Sequence, residues 1–192
     1  VRGFERRLLV VHRPAWTAED IAQHAQRIAD TGETISAIVV DYLQRVPLGN
    51  TPGRIDRRDQ EVSLIGRRLK ALATDIAVPV VAGAQINRAA IPETTKTRLA
   101  NAKDDNEVFK ILKASRPDLH NLREGGSEQE PDLVLGLMNY AADLRQEIDG
   151  ELRSSNELTP FEIGTLKNRY GAVGRWAEFK WDGRFGLLSE KR

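Results

Sequence analysis

An α/β fold is predicted here, a mostly parallel sheet flanked by helices with antiparallel strands at the carboxyl end. Three observations carry that prediction. Two short apolar runs rich in β-branched residues, Ala37-Ile38-Val39-Val40 and Val78-Pro79-Val80-Val81-Ala82, are bounded by polar residues, the pattern of strands buried on both faces of a parallel sheet. Segments with apolar residues at helical spacing precede and separate them, and such alternation demands parallel pairing with right-handed crossovers. Phe161 to Leu188 then reads as antiparallel strands joined by turns at Tyr170-Gly171 and Asp182-Gly183.

Taken in order, Leu8-Leu9-Val10-Val11-His12 is the first expected strand. Thr17 opens a helix, because Asp20 three positions on completes a capping pattern. Ala18, Ile21, Ala22, Ala25, Ile28 and Ala29 form its apolar face, and Gly32 stops it. The strand ending in Asp41 follows, then a Gly/Pro/Arg-rich loop from Pro47 to Arg58. A second helix carries Val62, Ile65, Leu69, Leu72, Ala73 and Ile76 on one stripe and leads into the strand ending in Gln85. Strands and helices over 8–85 thus make a β-α-β-α-β core. Past it, 88–105 is polar, Asn106 to Lys113 forms a short helix, and a polar loop runs from Arg123 to Asp132. Leu133 to Met138 is another buried strand; 141–157 is a charged helix-or-loop excursion. We treat 1–192 as one partial domain: the 8–85 core, a loop region over 86–132, and carboxyl-terminal strands over 133–188.

Bulk properties narrow the classes. A chain of 192 residues can bury one good core, and 40% hydrophobic with 30% charged residues fits a globular protein. Net charge is +1, so any nucleic-acid contact must come from a local patch. Without cysteine there are no disulfides or thiolate metal sites, which is compatible with the cytoplasm. No apolar run reaches the roughly 18–20 residues of a spanning helix, and no signal-peptide pattern appears, so no membrane role is expected. The sequence starts at Val1 in a basic segment; an amino-terminally incomplete product is expected, and an alternative start or a processed end would look the same.

Four constellations carry chemistry, each beside a plainer alternative. Asp41 ends a buried strand, where ligand sites gather and a carboxylate can hold hydrated Mg²⁺ beside a nucleotide; such an Asp also commonly caps a turn. Gln85 ends the second strand, where bonding to a loop is the ordinary role. In Asn121-Leu122-Arg123-Glu124-Gly125-Gly126-Ser127, a turn exposes backbone N–H groups able to grip phosphate beside Arg123; composition alone favours a surface turn. Lys167-Asn168-Arg169 puts two cations on the same side of a strand end, which is either a solvated edge or what a trans-acting finger requires. His12, His24 and His120 share no metal-ligand spacing and read as structural or surface residues. Arg54, Arg57 and Arg58 are interleaved with Asp56 and Asp59, either a solvated, self-compensated loop or a DNA contact. Trp176 and Trp181 should face opposite sides of one strand, as packing residues and not base-stacking ones.

The ordered series IVVDYLQ, GAQINR, LREGGS and KNRYGAVG strongly resembles the carboxy-terminal motor domain of DnaB-type replicative DNA helicases, from about Leu8 to Phe185. The resemblance implies a RecA-like ATPase that uses ATP and Mg²⁺ and forms a homo-hexamer on single-stranded DNA, with a loader or primase among its partners. It implies that Asp41 is the Walker B aspartate holding Mg²⁺ through water, and that Gln85 senses the γ-phosphate. Arg123, Glu124, Gly125 and Gly126 would then lie in the loop at the DNA backbone. Lys167 and Arg169 would reach across to the neighbour's γ-phosphate.

The sequence also departs from the family. No Gly-x-x-x-x-Gly-Lys-Ser/Thr phosphate loop occurs in these 192 residues, and the glutamate that activates water in the family is not present. After Ser127, the acids of Glu128-Gln129-Glu130-Pro131-Asp132 oppose phosphate. The chain alone is therefore expected not to hydrolyse ATP. Two other readings stay open: a non-catalytic RecA-like interaction module, and another RecA-superfamily ATPase of recombinase or clock type.

Overall fold

The computed structural model describes residues 8–49, 58–85, 97–98, 101–102, 104–119, 128–139 and 159–190. The chain forms two compact units, Val1–Gln85 and Ile86–Arg192.

In the first unit, helix α1 spans Ala18–Asp30 and begins with a capping box. Asp20 N–H donates to Thr17 Oγ1 at 3.2 Å, and Thr17 N–H donates to Asp20 Oδ2 at 2.9 Å, so two donors that the helix itself leaves unmatched are satisfied reciprocally. The Thr17 N–H, then its hydroxyl, hold the Asp20 carboxyl below its ordinary value. The helix stops where Gly32, at φ +82°, donates to Ala29 O at 2.9 Å; only glycine enters that left-handed region without strain.

Strands β1, Ile38–Val40, and β2, Val80–Ala82, pair in parallel with Val40 opposite Ala82. Between them runs helix α2, Arg58–Asp75. Its Val62, Ile65, Leu69 and Leu72 recur at three- and four-residue steps and are all buried. With Ala18, Leu43 and Val46 they make the core, and Ile21, Ala22, Ile38, Val40 and Val80 pack around it. Burying a side chain such as Ile65 contributes roughly 1.5–3 kcal/mol.

Two expectations for this unit are corrected. Leu8–His12 forms no strand, and Leu8, Leu9 and Val10 are 69%, 65% and 79% exposed. A strand exists through its hydrogen-bonded neighbour, and none of the described residues pairs with this run, so α1 precedes a β-α-β unit in place of the five-element core. Nor do the described residues of this unit cover β1 and β2 on both faces. Val39 is 73% and Val81 56% exposed, because side chains alternate along a strand and the helical core packs Ile38, Val40 and Val80 on the other face.

In the second unit, helix α3, Asp105–Ala114, is capped by Asp104, whose Oδ1 accepts from Glu107 N–H at 2.8 Å. Strands β3, Leu133–Asn139, β4, Thr159–Asn168, β5, Trp176–Asp182, and β6, Leu187–Glu190, form an antiparallel sheet in that order. The expected antiparallel carboxyl end is present. Turns follow β4 at 169–171 and β5 at 183–186, as expected, and Gly174 and Gly186 take the left-handed region at φ +78° and +63°. β3 is half-buried: Met138 faces Ile111 and Leu112, while Leu133, Leu135 and Leu137 are exposed.

Trp176 packs against this small core, and Trp181 lies 6.1 Å from the Phe161 ring, in keeping with opposite faces. Gly164 pairs with Trp176, and a Cβ there would fall 2.3 Å from the indole; the ring occupies the space that glycine leaves. Glu162, 1% exposed, is held by Arg116 through Nε at 2.8 Å and Nη2 at 2.7 Å. The guanidinium also lies 4.8 Å from the Trp176 ring. The expected excursion over 141–157 lies outside the described residues.

Candidate functional site

The rim of the first unit is built by the ends of two neighbouring strands. Gly83 N–H donates to Val40 O at 3.0 Å, and Leu43 N–H donates to Gly83 O at 2.7 Å. The Asp41–Tyr42 peptide is cis, and a one-turn 3-10 helix over Leu43–Arg45 follows, with Leu43 buried. That turn brings Gln44 back onto the second strand's exit. Its Nε2 donates to Gln85 O at 2.8 Å and its Oε1 accepts from Gln85 N–H at 3.1 Å. Asp41 and Gln85 therefore leave the same rim, both exposed, and the Gln44 amide ties the Gln85 backbone to the turn that follows Asp41.

Among the described residues no group of three or more His, Asp or Glu could hold a metal. A lone exposed carboxylate such as Asp41 fits Mg²⁺, which keeps its waters and is bound through one or two carboxylates plus substrate phosphates. The His24 ring lies 5.0 Å from that of Trp16.

In the second unit the two cations converge. The β3–β4 ladder shifts register between Val134, opposite Lys167, and Leu135, opposite Thr165, leaving Leu166 as a bulge. Bulges re-aim side chains, and this one sits beside Lys167. Lys167 Nζ donates to Glu128 O and Gln129 O, each at 2.9 Å. Arg169 N–H donates to Asp132 O at 2.8 Å, and its Nη1 lies 2.9 Å from Asp132 Oδ1. Both cations thus close on 128–132, and the Arg169 side chain remains 50% exposed. Arg123, Glu124, Gly125 and Gly126 lie outside the described residues, as do Arg54, Arg57 and His120.

Sequence reasoning missed three contributors. Gln44 stood inside the first motif, and an amide able to match both N–H and C=O of another chain segment was the available signal. Asp132, an acid that by its charge opposes phosphate, pairs with Arg169. The Arg116–Glu162 pair joins residues 46 apart, and nothing local in the sequence marks such a contact.

Comparison with known proteins separates the branches of the RecA-like group. The family described as DnaB-like helicase C terminal domain matches residues 3–188. This chain belongs to that family. It is similar to the replicative DNA helicases DnaB of Pasteurella multocida and Haemophilus influenzae, each 33% identical over 180 residues. Each alignment covers 92% of this chain and 32% of the relative, so the chain spans about a third of the length of the curated relatives it matches. The fold resembles that of a DnaB-like replicative helicase solved for its interactions with primase, with TM-score 0.65 and 23% identity, covering 95% of this chain and 36% of that one. A solved ATPase domain gives TM-score 0.63 and 22% identity, covering 93% and 52%. The fold is RecA-like, and membership in the DnaB-like family displaces the recombinase and clock alternatives.

Proposed function

We propose that this chain is part of an ATP-dependent replicative DNA helicase motor that translocates on single-stranded DNA and unwinds duplex. It contributes the Asp–Gln rim and the trans-acting cations. The observation that carries this reading is the joint exit of Asp41 and Gln85 from parallel strands locked by Gln44. Phosphoryl transfer is governed by positioning and charge neutralisation, and this rim offers one carboxylate and one amide fixed to a common frame. Asp41 would hold Mg²⁺, which would neutralise triphosphate charge. Gln85 hydrogen-bonds the γ-phosphate and, through its backbone tie to Gln44, reports to the strand ends. Lys167 and Arg169 face the neighbouring subunit's nucleotide, which ties hydrolysis to a homo-hexameric ring. Arg123, Glu124, Gly125 and Gly126 meet the DNA backbone. Single-stranded DNA, a primase or a loader are the expected partners, in the cytoplasm; no described helix is long and apolar enough to cross a membrane.

Because no phosphate loop occurs in the sequence, the chain alone should release no phosphate from ATP. Mg²⁺-dependent shifts of the Gln85 side-chain amide signal on adding ATP are expected, and they should disappear in Asp41→Asn. Shifts of the Gln85 side-chain amide that are the same in Asp41→Asn as in the parent, or that appear without Mg²⁺, would overturn the assignment.

A further inference from the structure

Lysine and arginine side chains are long and flexible, and aiming two of them at one anion costs rotamer entropy unless something else fixes them. Residues 128–132 supply that fixing. Lys167 spends two of its three N–H donors on the carbonyls of Glu128 and Gln129, so one remains. Arg169 is held twice by one residue, through its backbone N–H to Asp132 O at 2.8 Å and through Nη1 at 2.9 Å from Asp132 Oδ1. The second contact is coulombic and not an in-line hydrogen bond. It leaves other guanidinium N–H groups for a ligand, and the side chain is half exposed.

We propose that Asp132 is a positioning residue that aims Arg169, beside Lys167, at a phosphate group. This rests on the phosphate-facing role given above to the two cations. The carboxylate acts through Arg169 and touches no ligand itself. Its charge makes the idea testable by sign. A bystander carboxylate beside two cations repels an anion, so its removal should tighten anion binding. A carboxylate that aims the guanidinium should do the reverse.

The test titrates inorganic tripolyphosphate into the whole chain, followed by the NMR signals of Arg169 Nε–H and Lys167 Cε. Asp132→Ala is expected to bind roughly tenfold more weakly, since misplacing a positioned group costs up to about a hundredfold. The heteronuclear NOE of Arg169 Nε–H should fall with it, reporting lost side-chain order. Asp132→Asn keeps the side chain's shape but removes the charge that the coulombic contact needs, so it too should bind more weakly than the parent. The double variant Lys167→Ala with Arg169→Ala should not bind; if it binds like the parent, the phosphate reading of the pair is wrong, and this inference falls with it. If the double variant is silent but Asp132→Ala binds as tightly as the parent or tighter, or keeps the Arg169 NOE, the positioning role alone is overturned. Should Asp132→Ala fail to fold, Asp132→Asn decides: weaker binding than the parent supports the role, and equal or tighter binding overturns it.

Discussion

Removing Arg116 should destabilise the second unit more than any exposed substitution in it. Its guanidinium places two charge-assisted hydrogen bonds, 2.8 and 2.7 Å, on a carboxylate that is 1% exposed. Breaking a buried pair by deleting one partner typically costs about 3–5 kcal/mol, because the remaining charge stays buried. Stacking of the guanidinium on Trp176 at 4.8 Å adds about 0.5–1 kcal/mol. Against this, Lys113 Nζ lies 3.6 Å from Glu162 Oε1 and would take up part of the charge. That lysine is already hydrogen-bonded to Glu178 at 2.7 Å, chiefly for which reason its ammonium is held above its ordinary value. The low end of the range, about 3 kcal/mol, is therefore expected for Arg116→Ala.

Glu162→Gln should cost less, about 1–2 kcal/mol, because it removes the buried charge and leaves a cation that reaches solvent. A double substitution, Arg116→Met with Glu162→Leu, should lie near the parent, since apolar replacements of similar volume often equal a buried ion pair. The assay is urea unfolding followed by fluorescence of Trp176, which packs beside the pair and senses its environment directly. Two results would refute the reasoning: a cost under about 1 kcal/mol for Arg116→Ala, or costs for Arg116→Ala and Glu162→Gln that simply add, since residues in contact couple by about 0.5–3 kcal/mol.

Gly164→Ala should lower stability by about 1–3 kcal/mol, the usual cost of overpacking, because the new Cβ would lie 2.3 Å from the Trp176 ring; thermal unfolding that matches the parent counts against this. Gln44→Ala should release the backbone of Gln85 and speed exchange of its amide proton, with little change at Val81 inside the strand. Asp20, whose pKa is depressed in the fold, contributes stability above its unfolded value of 3.8 and loses it as pH falls through the lower folded value. Asp20→Asn should therefore be less stable than the parent at pH 7 and converge with it in strong acid, read by helix circular dichroism.

The local devices were legible in the sequence because they are written within a few residues. Thr17 and Asp20 sit three apart, and the stripe of α2 repeats at three- and four-residue steps, so both could be located without the fold. The rim was legible through its strand ends, Asp41 and Gln85. What escaped depends on pairings distant in sequence. Lys167 and Arg169 were read as a same-side pair, but a strand's alternation says nothing of the segment opposite, and the bulge at Leu166 is visible only in the register.

The runs read as buried strands show a second limit, and it concerns what hydrophobicity encodes. Val39 and Val81 interleave with Ile38, Val40 and Val80, so both faces of the β1–β2 ribbon are apolar, while the described helices cover one. Leu133, Leu135 and Leu137 repeat the pattern in the second unit, exposed opposite Met138. An apolar run records that a face can be buried, not which element buries it, and four or five such residues cannot separate a two-strand ribbon from the interior of a wide sheet. Pairing decides that. For β1 and β2 the deciding residues lie in the glutamine bridge and in the Gly83 bonds to Val40 and Leu43, which set the register at the rim. The same bonds set the site, so the rim's geometry follows from polar contacts at the strand ends, whereas the exposure of the apolar face leaves it unchanged.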